Sequence, residues 1–309
     1  MNAPANFESL PQELRDLVVD HISQMPDNSE RIRALSSIAL VSSQFRYWAH
    51  KRLFSTVVLR GKHGSLVAGS AFRRLCQLKD LINADPQSEM TGIASHIRSF
   101  TLILIGHLSD YVLPTVTPLV VLEGALSFIF RKLFRNGNGQ CFLSVLFCVP
   151  IGRRLDWKVL GHDFRCALLD VVRSARLSTL HLRGISNLPD HILVHSAVDH
   201  ISFKDVSIQH HMQNELASCD EQSYRDCIQP YSIETDHSFP ITHILDLTPT
   251  HSQPWHFIFQ KLRKLTIKIN DSDGFAKSTE LFKSATSVEN LEIKLNCNWN
   301  PLYFFLFCC

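Results

Sequence analysis

One short pattern constrains the fold of this chain more than any other: apolar, two residues, apolar, one residue, apolar. It appears as IRSFTL (Ile97, Phe100, Leu102), LSTLHL (Leu177, Leu180, Leu182) and VDHISF (Val198, Ile201, Phe203). It returns as LRKLTI (Leu262, Leu265, Ile267) and VENLEI (Val288, Leu291, Ile293), with looser copies in FLSVLF from Phe142 and THILDL from Thr242. Start-to-start spacings from Leu177 are 21, 44, 20 and 26 residues, the 44 being close to two repeats. Alternation within each copy is the period of a strand with one buried face. Helical patterns lie between some copies. DFRCALLDVVRSAR, 163–176, puts Phe164, Ala167, Leu168, Val171, Val172 and Ala175 on one side, and STELFKSA, 278–285, is a shorter version. A strand and a helix per repeat stack into a curved solenoid, with parallel strands on one side and helices on the other. An ordinary α/β domain with alternating strands is the alternative. Insertions are expected at 103–120 and 209–238, and a helix over 65–84 leads in from the N-terminal region.

The first fifty-five residues carry no copy of this pattern. In FESLPQELRDLVVDHISQ, Ser9 and Gln12 have the spacing of a capping box, and Pro11 fits the first turn, where its missing N–H has no helical partner. Leu10, Leu14, Leu17, Val18 and Ile22 then form one apolar stripe, and MPDNSE ends the helix. A second helix is predicted in RIRALSSIALVSSQFRYWAH, with Ala34, Ile38, Val41, Phe45 and Trp48 along one face. Helices this short bury too little apolar surface to be stable alone, so their stripes need a covering surface, in this chain or in another.

Residue identity narrows the reading. LPQELRDLVVDHI followed by LSSIALVSSQFRYWAHKRLF resembles an F-box, the helical module that docks on the Skp adaptor of Skp–cullin–F-box ubiquitin ligases. Leu10, Pro11, Glu13 and Leu14 match its opening Leu-Pro-x-Glu-Leu. Leu17, Val18 and Ile22 match the apolar positions that follow, and Leu40 and Val41 match the Leu-Val before its last helix. Phe45 stands where the family usually has Trp, Ser42 where Cys is common, and the connection over 23–31 is longer than usual. HKRLF followed by a strand is frequent in the fungal type. The repeats themselves are similar to irregular leucine-rich repeats, without the usual Asn or Cys ladder.

The resemblance implies a module over 8–58, a helical linker over 59–95 and an irregular leucine-rich-repeat domain over 96–309. It also implies a substrate receptor: the module binds the Skp adaptor and, through it, the cullin complex, and the repeats bind a client protein. Adaptor-binding or module-core positions are then Leu10, Pro11, Glu13, Leu14, Leu17, Val18, Ile22, Ile38, Val41, Phe45 and Trp48. A repeat scaffold without a ligase role is the alternative, its N-terminal helices acting as a cap with Leu10, Pro11 and Leu14 covered. The last stretch, KLNCNWNPLYFFLFCC, lacks the polar cap a solenoid needs, so a truncated or mispredicted reading frame is expected there.

Other chemistry is poorly represented. The chain has no GxSxG, HExxH, GxGxxG or GxxxxGK[ST] signature, so no catalytic residue, cofactor or metal is expected. NGNG at 136–139 reads as a turn. His210, His211, Cys219 and Cys227 match no zinc spacing. Arg131, Lys132, Arg135, Arg153 and Arg154 form a basic cluster in sequence, read as solvated surface or as a contact for an acidic client. A net charge of +2 argues against a nucleic-acid or anionic-membrane partner. Four acids in the first twenty residues and nine unpaired-looking cysteines fit a cytoplasmic or nuclear protein with reduced thiols.

Overall fold

The computed structural model describes residues 10–61, 70–83, 92–105, 117–135, 141–148, 154–193, 196–209, 230–236, 262–269 and 287–295. The helices are α1 (Gln12–Ser23), α2 (Asn28–Ile38), α3 (Ser43–Leu53), α4 (Ser70–Asn83), α5 (Ile93–His96), α6 (Thr117–Arg135) and α7 (His162–Val172). The strands are β1 (Thr56–Gly61), β2 (Ser99–Ile105), β3 (Cys141–Cys148), β4 (Leu155–Asp156), β5 (Leu177–Pro189), β6 (His200–Gln209), β7 (Ser232–Asp236), β8 (Lys264–Ile269) and β9 (Asn290–Leu295). All nine strands among the described residues belong to one open parallel sheet in the order β1-β2-β3-β5-β6-β7-β8-β9, with β4 pairing with β5 beyond the reach of β3. Apart from the short β4, each strand therefore lies beside its successor in sequence, an α/β arrangement wound in one direction.

The repeated apolar positions supply the register. Val57 and Leu59 of β1 pair with Phe100 and Leu102 of β2, which pair with Leu143 and Val145 of β3. The row continues through Leu180/Leu182, Ile201/Phe203, Ile233/Thr235, Leu265/Ile267 and Leu291/Ile293. The entry turns repeat as well: the Ser55 carbonyl accepts from Arg98 and Ser99 N–H, Asp199 from Tyr231 and Ser232, and Arg263 from Glu289 and Asn290. Apolar side chains on this face of β1 to β8 meet the helices in a single core, while Leu291 and Ile293 of β9 are exposed. Phe130 of α6, fully buried, makes an edge contact with Phe100 and a tilted one with Phe164 of α7, each at 5.7 Å. Glu123 of α6 accepts from Gly161 N–H at 2.7 Å, so α7, whose N-cap is a glycine, is capped from a neighbouring helix.

Several expectations are corrected. YSIETD, inside the insertion expected at 209–238, forms β7; Pro230 and Thr235 stand where other copies carry apolar residues, and both are buried. The copy in FLSVLF is shifted, since Leu143 and Val145 occupy the core positions and Phe142 faces the other way. The single helix predicted through Leu40 and Val41 is two, because Ser42 takes an extended conformation and its hydroxyl accepts from Phe45 N–H at 3.3 Å, starting α3 afresh. The helix read over 163–176 stops at Val172, leaving Ala175 exposed. The expected insertion at 103–120 overlaps the end of β2 and the start of α6. THILDL, STELFKSA, NGNG, Ser9, and the His210, His211, Cys219 and Cys227 group lie outside the described residues, as do 296–309. No helix among the described residues is long and apolar enough to cross a membrane.

Candidate docking face of the helical module

Helices α1, α2 and α3 pack on one another around a small core of their own, Val19, Leu35 and Phe45, with Leu10, Ile22, Ile38, Trp48 and Leu53 against it. Local chemistry fixes each helix. Pro11 is the N-cap of α1 rather than a first-turn residue, its carbonyl accepting from Leu14 and Arg15 N–H, while the Gln12 side chain donates to Asp16 at 2.7 Å. Asp27 caps α2 by accepting from Ser29 and Glu30 N–H at 2.7 and 3.0 Å. Hydrogen bonds from the Ser29 hydroxyl and these two amides hold its carboxyl below the usual range. Lys51 and Arg52 close α3 with positive charge at its carbonyl end, and Arg52 pairs with Asp20 of α1.

This packing sorts the residues singled out in the sequence. Phe45 is buried, and Leu10, Ile22, Ile38 and Trp48 are half-buried around the module core, with Lys51 Nζ over the Trp48 ring at 4.5 Å. Pro11, Glu13, Leu14, Leu17, Val18 and Val41 are exposed. The inward side of α1 is instead Arg15 and Val19, which the apolar stripe does not include. Leu17 at 67% and Leu40 at 80% are among the most open large apolar side chains of the molecule. Leu14 and Val18 flank Leu17 one helical turn apart, and Val41 follows Leu40 at the α2–α3 junction.

The sheet face opposite the helices carries the other concentration of chemistry. One row crosses it strand by strand: Val58, Thr101, Ser144, His181, Ser202, Glu234, Thr266 and Glu292. Ser202 Oγ donates to Glu234 Oε2 at 3.0 Å, Lys204 Nζ meets Glu234 Oε1 at 2.8 Å, and Thr266 Oγ1 donates to Glu292 Oε2 at 3.3 Å. Burial works to raise the Glu234 carboxyl, but the Lys204 ammonium, the Ser202 hydroxyl and Lys294 together hold it below its ordinary value. Burial depresses His181 against the opposing pull of Glu234, with Lys204 and His200 adding to the depression. Of the basic cluster read in the sequence, Arg131 and Lys132 are exposed on α6 and Arg154 donates to Asp205 at 2.7 Å, while Arg153 lies outside the described residues. Among the described residues no group of three or more His, Cys, Asp or Glu side chains is placed to hold a metal ion.

Compared with protein-family models and with curated proteins, the chain matches none.

Proposed function

We propose that this chain is the substrate-recognition subunit of a Skp–cullin–F-box ubiquitin ligase, its helical module docking on the Skp adaptor and its repeat sheet, an irregular leucine-rich-repeat solenoid, holding a client protein. Ubiquitin transfer falls to other subunits, and the work is done in the cytoplasm or nucleus. The observation that carries the reading is the exposure of the apolar residues that resemble the F-box pattern. Leu14, Leu17, Val18, Leu40 and Val41 are 49, 67, 38, 80 and 52% exposed, while the same three helices bury a core of their own. Apolar side chains left open beside a completed core are the mark of a surface awaiting a partner. A cap sealing the first repeat would bury them instead.

The test is co-purification of the full chain with the Skp adaptor, beside a Pro11→Ala/Leu14→Asp variant. Both positions are exposed, so the double substitution leaves the module core intact. Stoichiometric binding by the unmodified chain, lost in a variant of unchanged circular dichroism, supports the reading. A well-folded chain that fails to bind overturns it and leaves a protein-binding scaffold.

A further inference from the structure

On the face of the sheet opposite the helices, two residues beyond Glu234 and Glu292 toward the strand ends, a second row crosses the molecule. Arg60 of β1 pairs with Ile103, Ile103 with Leu146, Leu146 with Arg183 and Arg183 with Lys204. Further along, Asp236 pairs with Lys268 and Lys268 with Lys294. All five cations are exposed, while Ile103 and Leu146 are half-buried between Arg60 and Arg183.

Two features set this row apart from solvated surface charge. Like charges stand directly opposite one another on paired strands twice, Arg183 against Lys204 and Lys268 against Lys294, an arrangement that destabilises a sheet. The nearby acids do not cancel it. Glu234 takes Lys204, Glu292 lies 3.5 Å from Lys294, and Asp236 accepts from Asp205 N–H, while Arg60, Arg183 and Lys268 have no ion-pair partner among the described residues.

We propose that this row binds an extended acidic peptide of a partner protein, with an apolar side chain seated over Ile103 and Leu146 between two acidic ones. The spacing fits. Neighbouring strands are about 4.8 Å apart, so Arg60 and Arg183, three strand steps apart, are separated by about 14 Å. Residues i and i+4 of an extended peptide lie about 13 Å apart, with i+2 on the same side between them. Glu-x-Leu-x-Glu therefore matches cation, apolar pair, cation, and acids further on reach Lys204 and Lys268. Glu234, Glu292 and Asp236 on the same face oppose a continuous phosphate backbone, which favours a peptide over a nucleic acid. The proposal deepens the receptor reading, from which it takes only that the partner is a protein.

The experiment is fluorescence anisotropy with the full chain and a labelled peptide carrying repeated Glu-x-Leu-x-Glu, beside Gln-x-Leu-x-Gln and Lys-x-Leu-x-Lys counterparts and a single-stranded oligonucleotide. The expected result is saturable, salt-sensitive binding of the acidic peptide, weakened about tenfold or more in Arg183→Glu/Lys268→Glu. An Arg131→Glu/Lys132→Glu variant on the helical layer should bind as the unmodified chain does. Absence of binding, equal loss in the two variants, or tighter binding of the oligonucleotide overturns the proposal. Adaptor co-purification on the same variants separates the two readings. Peptide binding without adaptor binding sinks the ligase assignment alone, and adaptor binding without peptide binding sinks this proposal alone.

Discussion

Gly184 is where β5 changes neighbours, leaving β3 for β4, and no other residue type fits there. Its φ of +73° is left-handed, and a Cβ would lie 2.0 Å from the Phe147 carbonyl oxygen of β3. Left-handed backbone costs an ordinary residue about 1–2 kcal/mol, and the clash adds to it. Gly184→Ala should therefore lower the unfolding free energy by more than about 2 kcal/mol, read from the urea midpoint at constant slope. Arg15 makes the opposite case. It is 8% exposed, and its Nε and Nη1 are buried without a hydrogen-bond partner among the described residues. A buried unpaired donor costs about 1–3 kcal/mol, so Arg15→Met, which keeps the apolar stem, should raise stability by about 1 kcal/mol. A fall in stability on that substitution would mean that the guanidinium is satisfied.

At the scale of elements, the contact between α3 and the short α5 joins the helical module to the sheet. Tyr47 meets the His96 ring edge-on at 5.0 Å and Trp48 at 5.3 Å. His96 is buried, and burial first, then the charges of His50, Lys51 and Arg98, depress its pKa below 6.5. The neutral ring is the form the fold favours. The stability His96 contributes is thus complete above the ordinary imidazole value and is lost as pH falls through its depressed folded value. Stability of the chain should decline through that acid window, and His96→Phe, which keeps an aromatic edge for Tyr47, should flatten the decline. Urea midpoints measured across the window for both proteins check this, and identical slopes would contradict it.

At the scale of the whole molecule, the described residues form two cores of unequal size. The module core of Val19, Leu35 and Phe45 is separate from the one running beneath β1 to β8. Small cores open at lower free energy than large ones. Amides of α1 and α2 should accordingly exchange with solvent faster than those of β3, β5 and β6 in native-state hydrogen exchange. Leu35→Ala, costing about 2–4 kcal/mol, should melt the module while leaving strand protection unchanged. Much of this plan was legible in the sequence, because strand alternation at regular spacing is written residue by residue: five clear copies of the pattern became β2, β5, β6, β8 and β9. β7 was hidden, since Pro230 and Thr235 break the apolar pattern, and Thr235 is buried only because Phe203 flanks it on one side and Ile267 on the other. The stripe Leu14, Leu17, Val18 was equally visible, but not its direction. Periodicity records which residues of one helix share a side; which side is covered depends on the elements that arrive against it. On α1 the packing buried Arg15 and Val19, with Leu10 and Ile22 of the stripe beside the module core, and only the tertiary structure turned Leu14, Leu17 and Val18 outward.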